Sequence, residues 1–73
     1  MDSTVRNAML SASAPRRAQL IASASRHITD NNFVNLLQNI DINAPKKFNY
    51  AMFAAFTSVP GLREQVTAWL AAA

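Results

Sequence analysis

The chain has 73 residues, no cysteine, and seven Lys and Arg against four Asp and Glu, which gives a net charge of +3. This length allows a single domain over residues 1–73, and the lack of cysteine excludes disulfides and thiolate metal sites. The longest apolar stretch, residues 50–56, is far shorter than a membrane-spanning helix of ~20 residues. Because nothing here requires an oxidising compartment, we expect a cytoplasmic protein.

Each of the three prolines stands two residues after a side chain that favours the N-cap position of a helix. Such a side chain accepts a hydrogen bond from a free backbone N–H, and proline in the first turn needs no N–H of its own. The pairs are Ser13 with Pro15, Asn43 with Pro45, and Ser58 with Pro60. Together with the helical spacing of the apolar residues, they predict an all-α fold, a compact bundle of about five short amphipathic helices.

The first two helices are predicted to carry small apolar faces, which allow neighbouring helices to approach closely. The first extends from a cap at Asp2 or Ser3 to about Ser13, and the second from about Pro15 to Ile28. In the first helix, the residues expected to face the core are Val5, Met9 and Ala12. In the second helix, the residues expected to face the core are Ala18, Ile21, Ala24 or Ser25, and Ile28. Leu20 lies at the edge of this stripe.

The third helix is predicted from about Asp30 to Asn39, with Thr29-Asp30 offering its cap and Asp30 suited to the positive end of the helix dipole. Its apolar side chains at helical spacing are Phe33, Leu36, Leu37 and Ile40. Its polar face is rich in amides, namely Asn31, Asn32, Asn35, Gln38 and Asn39. In the loop that follows, Ile42 is expected to pack back against the core.

The fourth helix, from about Pro45 to Ser58, is apolar around most of its circumference, which is typical of a central helix or an interface. Its core stripe consists of Phe48, Met52, Ala55 and Phe56. Tyr50 and Phe53 lie off that stripe, and Tyr50 points roughly away from it. The fifth helix, from about Pro60 to the end, has the most regular apolar face, formed by Leu62, Val66, Trp69, Leu70 and Ala73.

Both ends of the chain raise the question of processing. The fifth helix lacks a C-cap glycine and a closing Lys or Arg, so the chain is either complete or an N-terminal domain of a longer protein. The first 27 residues, rich in Arg and Ser, are similar in composition to a mitochondrial targeting segment. Pro15 interrupts that segment. Removal of the whole segment would leave about 45 residues, near the lower limit for independent folding. We therefore favour a domain that retains this segment.

Groups that perform catalysis are scarce in this chain. His27 is the only histidine and Gly61 the only glycine. A general base needs a positioned partner, a metal needs several convergent ligands, and a phosphate-binding loop needs several glycines. We therefore expect no enzyme activity, no catalytic residue, no cofactor and no metal, and a position for His27 at a helix end or on the surface.

The fourth helix provides the main functional prediction. Tyr50 and Phe53 are the aromatic residues that a small bundle is least able to enclose, and aromatic residues are enriched at the centres of interfaces. Lys46 and Lys47 begin the same helix, where positive charge opposes the helix dipole and contributes nothing to stability. The pattern predicts a protein–protein interaction module, of docking or adaptor type and including self-association, with these four residues in the contact.

A small nucleic-acid-binding regulator is the alternative, with contacts from Arg16, Arg17 and Arg26 and from the amides of the third helix. Amide side chains pair well with adenine in the major groove. Against this, the third helix holds no Lys or Arg, and Asp30 at its start repels phosphate. Binding of the first two helices to an anionic membrane surface is weaker still, because interfacial helices present larger apolar residues.

Overall fold

The computed structural model describes residues 3–72 and confirms the all-α bundle. Within this range there is no strand, and the molecule measures 30 × 27 × 18 Å. No helix in it is long and apolar enough to cross a membrane. The helices are α1 (Thr4–Ser11), α2 (Ala14–Ser23), α3 (Asn31–Asn39), α4 (Pro45–Ser58) and α5 (Leu62–Ala72), with a 3₁₀ turn (Ala24–Arg26) directly after α2.

Every helix contributes to one apolar core. Helix α4 packs against α1 and α5, and α2 packs against α3 and α5. No polar or charged residue among those described is buried, so burial of apolar surface is the main favourable term. The buried residues are Val5, Met9, Leu20, Ala24, Ile28, Phe33, Leu37, Phe48, Met52, Leu62, Val66 and Trp69. As expected, Ile42 is partly buried against this core.

The predicted stripe of α2 is wrong in two positions, since Ala18 is exposed and Leu20 is buried. The α-helix ends at Ser23 and continues as a 3₁₀ turn, which advances by fewer residues per turn. The buried residues of this segment recur at every fourth position from Leu20 to Ile28, and this row leaves Ala18 outside it. The side chain of Trp69 donates from Nε1 to the carbonyl of Leu20 at 2.8 Å, which ties α5 to this part of α2.

Two of the three cap–proline pairs stand at a helix start, and only one of them makes the predicted capping bond. The Oγ of Ser13 accepts a hydrogen bond from the N–H of Arg16 at 3.2 Å. Asn43 makes no capping bond, because the N-cap position of α4 is Ala44. Ser58 is the last residue of α4, and its Oγ donates to the carbonyl of Ala54. The side chains of serine and asparagine can form several alternative local hydrogen bonds with the backbone. The cap–proline spacing alone therefore does not determine which residue caps the helix.

The other predicted caps fall at the starts of α1 and α3. The carboxylate of Asp30 accepts from the N–H of Phe33 at 2.9 Å, so Asp30 is the N-cap of α3. Ser3 is the N-cap residue of α1 without a capping bond from its side chain, and Asp2 lies outside the described residues. Ala73, predicted for the apolar face of the last helix, also lies outside them.

The turn between α4 and α5 depends on a glycine in a left-handed conformation. Gly61 has φ +77°, and a Cβ added there would meet no atom within 4 Å. We expect Gly61→Ala to lower the free energy of unfolding by about 1–2 kcal/mol, entirely through backbone strain. Urea unfolding followed by circular dichroism measures this difference. Gly61→Asn is the matched control and should be milder, since Asn tolerates this region better; equal stability of Gly61→Ala and the parent would contradict the turn geometry.

Candidate protein-interaction surface

Helix α4 carries aromatic residues on both its buried side and its exposed side. Phe48 and Met52 are fully buried on one side. On the other side Tyr50 is 65% exposed and Phe53 is 49% exposed. One side of α4 therefore packs into the core, as in a central helix, and the other side faces solvent.

Four residues of α4 share the exposed side at intervals of four, three and four residues, which places them in one row along the helix. We call this row the α4 face, and it consists of Lys46, Tyr50, Phe53 and Thr57. All four are exposed. The two aromatic rings lie at the centre of the row and the polar residues at its ends, as in the core and rim of a protein interface.

The two lysines at the start of α4 are not used by the fold. Lys46 and Lys47 are exposed, and neither makes a hydrogen bond or an ion pair with another described residue. Asp41, the carboxylate closest to them in sequence, accepts from the N–H of Asn43 in the preceding turn. Because positive charge in the first turn opposes the helix dipole, these lysines contribute nothing to the stability of α4.

The arginines behave differently, since several of them hold the fold together. Arg6 donates from Nε to the carbonyl of Ile42 at 2.9 Å, and Arg17 donates from Nε to the carbonyl of Met9 at 3.1 Å. The guanidinium of Arg63 lies 4.6 Å from the ring centre of Phe56, a cation–π contact. Three of the seven basic residues thus contact the bundle itself, whereas Lys46 and Lys47 lie exposed on α4.

The residues predicted for nucleic-acid contact are only partly brought together. Arg16 and Arg26 line one open depression beside the C-terminal end of α5, together with Gln19 and Ala72. Arg17 does not line it, and its side chain is committed to the end of α1. The negative pole of α5 is a sufficient electrostatic reason for two cations at this place.

One exposed apolar residue was missed by the sequence reasoning. Leu10 is 46% exposed, and it lies one turn after Arg6 on the flank of α1 that reaches the loop before α4. It is the only large apolar residue of α1 outside the stripe of Val5 and Met9. That position off the stripe was the signal that could have identified it.

Helix α4 also carries an unsatisfied polar atom. The Oδ1 of Asn49 is buried and receives no hydrogen bond from the described residues. A buried acceptor without a donor costs about 1–3 kcal/mol. The exposed aromatics, the lysines that pair with no residue of the described range 3–72, and this buried acceptor all fall on one helix. Such local violations of the folding rules concentrate at functional sites.

A metal ion in a protein needs several convergent ligands. Residues 3–72 contain no group of three His, Asp or Glu side chains able to hold a metal ion. His27 is half-buried at the end of the 3₁₀ turn.

Comparison of the chain with protein-family models, with curated proteins and with solved structures finds no match.

Proposed function

We propose that this protein is a non-enzymatic interaction module, of docking or adaptor type, that binds a protein through the α4 face. The observation that carries the proposal is the exposure of Tyr50 (65%) and Phe53 (49%) on one helix beside two lysines that the fold does not use. Burying two aromatic rings against a partner removes a large apolar area from water and provides the energetic centre of an interface. A cytoplasmic location belongs to the proposal, since no cysteine requires an oxidising compartment.

The α4 face is separate from the residues that stabilise the bundle. Phe48 and Met52 fill the core from the same helix, and the core is closed without Tyr50 or Phe53. Truncation of the two exposed rings is therefore expected to remove binding while leaving the fold intact. This separation makes the proposal testable by substitution.

The test compares the parent with the double variant Tyr50→Ala/Phe53→Ala. Sedimentation equilibrium measures self-association, and quantitative mass spectrometry measures proteins captured from a lysate. We expect at least one associated species, a second copy or another protein, to be lost from the double variant. Gln38→Ala, an exposed substitution on α3, is the control and should retain it. A parent chain that stays monomeric and captures the same proteins as the double variant would refute the proposal.

A nucleic-acid-binding role is the second candidate, supported by the convergence of Arg16 and Arg26 on one depression. Phosphate contacts release counterions, so such binding must weaken steeply as salt increases. An electrophoretic shift of duplex DNA at low salt that is lost in Arg16→Ala/Arg26→Ala would support it. The absence of any shift would exclude it.

A further inference from the structure

We propose that the α4 face binds the same face of a second copy of this chain, with the two α4 helices antiparallel about a twofold axis. This inference rests on the proposed function and names its partner. Twofold pairing requires a surface that is complementary to itself. The α4 face meets this requirement in its spacing and in its charge.

The spacing of the face is symmetric about its own centre. Tyr50 and Phe53 lie at equal distances on either side of the midpoint between Ala51 and Met52, and Lys46 and Thr57 do the same farther out. In an antiparallel pair centred there, Tyr50 of each copy lies opposite Phe53 of the other. The aromatic residues then meet aromatic residues at the centre, and each lysine lies opposite a threonine at the rim.

The charge distribution favours antiparallel over parallel pairing. Lys46 would lie beside the C-terminal end of the other α4, which carries the negative pole of the helix dipole. No described backbone N–H donates to the carbonyls of Phe56, Thr57 or Ser58. Pro60 lacks an N–H, and the left-handed turn at Gly61 ends the helical hydrogen-bond pattern. These carbonyls are acceptors for the lysine of a second copy.

Antiparallel pairing also keeps like charges apart. Lys46 and Thr57 are separated by about 16 Å along the helix, so the lysine pairs of two copies lie at opposite ends. That distance exceeds the Debye length of about 8 Å at physiological salt. A parallel pair would instead place all four lysines side by side.

A second copy also matches the α4 face better than an acidic segment of another protein does. An acidic segment would complement the lysines at one end and oppose the carbonyl-rich end. A second copy brings a positive end to each negative end. A contact made through a single helix face falls in the class of small interfaces below ~1,200 Å², so we expect weak and reversible association.

Cysteine cross-linking tests the geometry, because the chain has no cysteine of its own. Lys46→Cys and Thr57→Cys chains are mixed and treated with a short bismaleimide. We expect cross-links between the two different variants and few within either variant alone. Gln38→Cys, exposed on α3, is the control and should not cross-link. Sedimentation equilibrium should show dimerisation of the parent that is weakened at least ~tenfold by Tyr50→Ala.

The outcomes separate this inference from the proposed function. Efficient cross-linking within each single variant would refute the antiparallel arrangement. A parent that stays monomeric at millimolar concentration, yet captures another protein in a manner that depends on Tyr50 and Phe53, would refute the second copy as partner and leave the proposed function standing. Loss of neither self-association nor capture on Tyr50→Ala/Phe53→Ala would refute both.

Discussion

Replacement of Trp69 by alanine is expected to lower the free energy of unfolding by about 3–5 kcal/mol. Trp69 is fully buried and is the largest side chain of the core. A chain of this size has a total stability of roughly 4–11 kcal/mol, so the loss is a large part of the whole. Urea unfolding followed by far-ultraviolet circular dichroism measures the change. If the stability of the parent lies at the lower end of its range, Trp69→Ala should be partly unfolded in buffer.

Trp69→Phe separates packing from hydrogen bonding at the same position. Phenylalanine retains most of the apolar volume but removes the Nε1 donor to the carbonyl of Leu20. That carbonyl also accepts from the Oγ of Ser23 at 3.0 Å, so it is not left without a donor. We therefore expect Trp69→Phe to cost less than half of what Trp69→Ala costs. Equal losses in the two variants would show that the hydrogen bond, and not packing, is the larger contribution.

Phe48→Ala and Phe53→Ala are expected to differ widely although both residues lie on α4. Phe48 is fully buried, and its truncation leaves a cavity that costs about 3–5 kcal/mol. Phe53 is 49% exposed, and its truncation should cost less than ~1 kcal/mol. Paired urea unfolding curves measure both changes, and each variant is the control for the other.

The same pair of variants links stability to function. Phe53→Ala should fold like the parent and lose association, whereas Phe48→Ala should lose stability first. If Phe53→Ala destabilised the chain as much as Phe48→Ala, the α4 face would be part of the core of a single copy. The binding surface would then have to be sought elsewhere.

Local sequence signals were sufficient where an element depends on its own residues. The bounds predicted for the fourth helix, Pro45 to Ser58, are those of α4, because proline begins it and Pro60 closely follows its end. Asp30 was correctly placed at the start of α3, where it is the N-cap. The exposure of Tyr50 and Phe53 followed from their angular distance to Phe48 and Met52. Each of these results depends on helical periodicity, which residues a few positions apart determine.

The sequence by itself therefore determined the helical class and the position of Tyr50 and Phe53 away from the core stripe of α4. Only the tertiary structure decided what the arginines do, since Arg6 reaches a carbonyl 36 residues away in sequence. It also decided that Arg16 and Arg26 converge without Arg17, and that Leu20 is buried with its carbonyl bound by Trp69. The physical reason is the range of the interactions. Periodicity and capping act within one helix, whereas a long side chain that reaches another segment depends on how the helices pack.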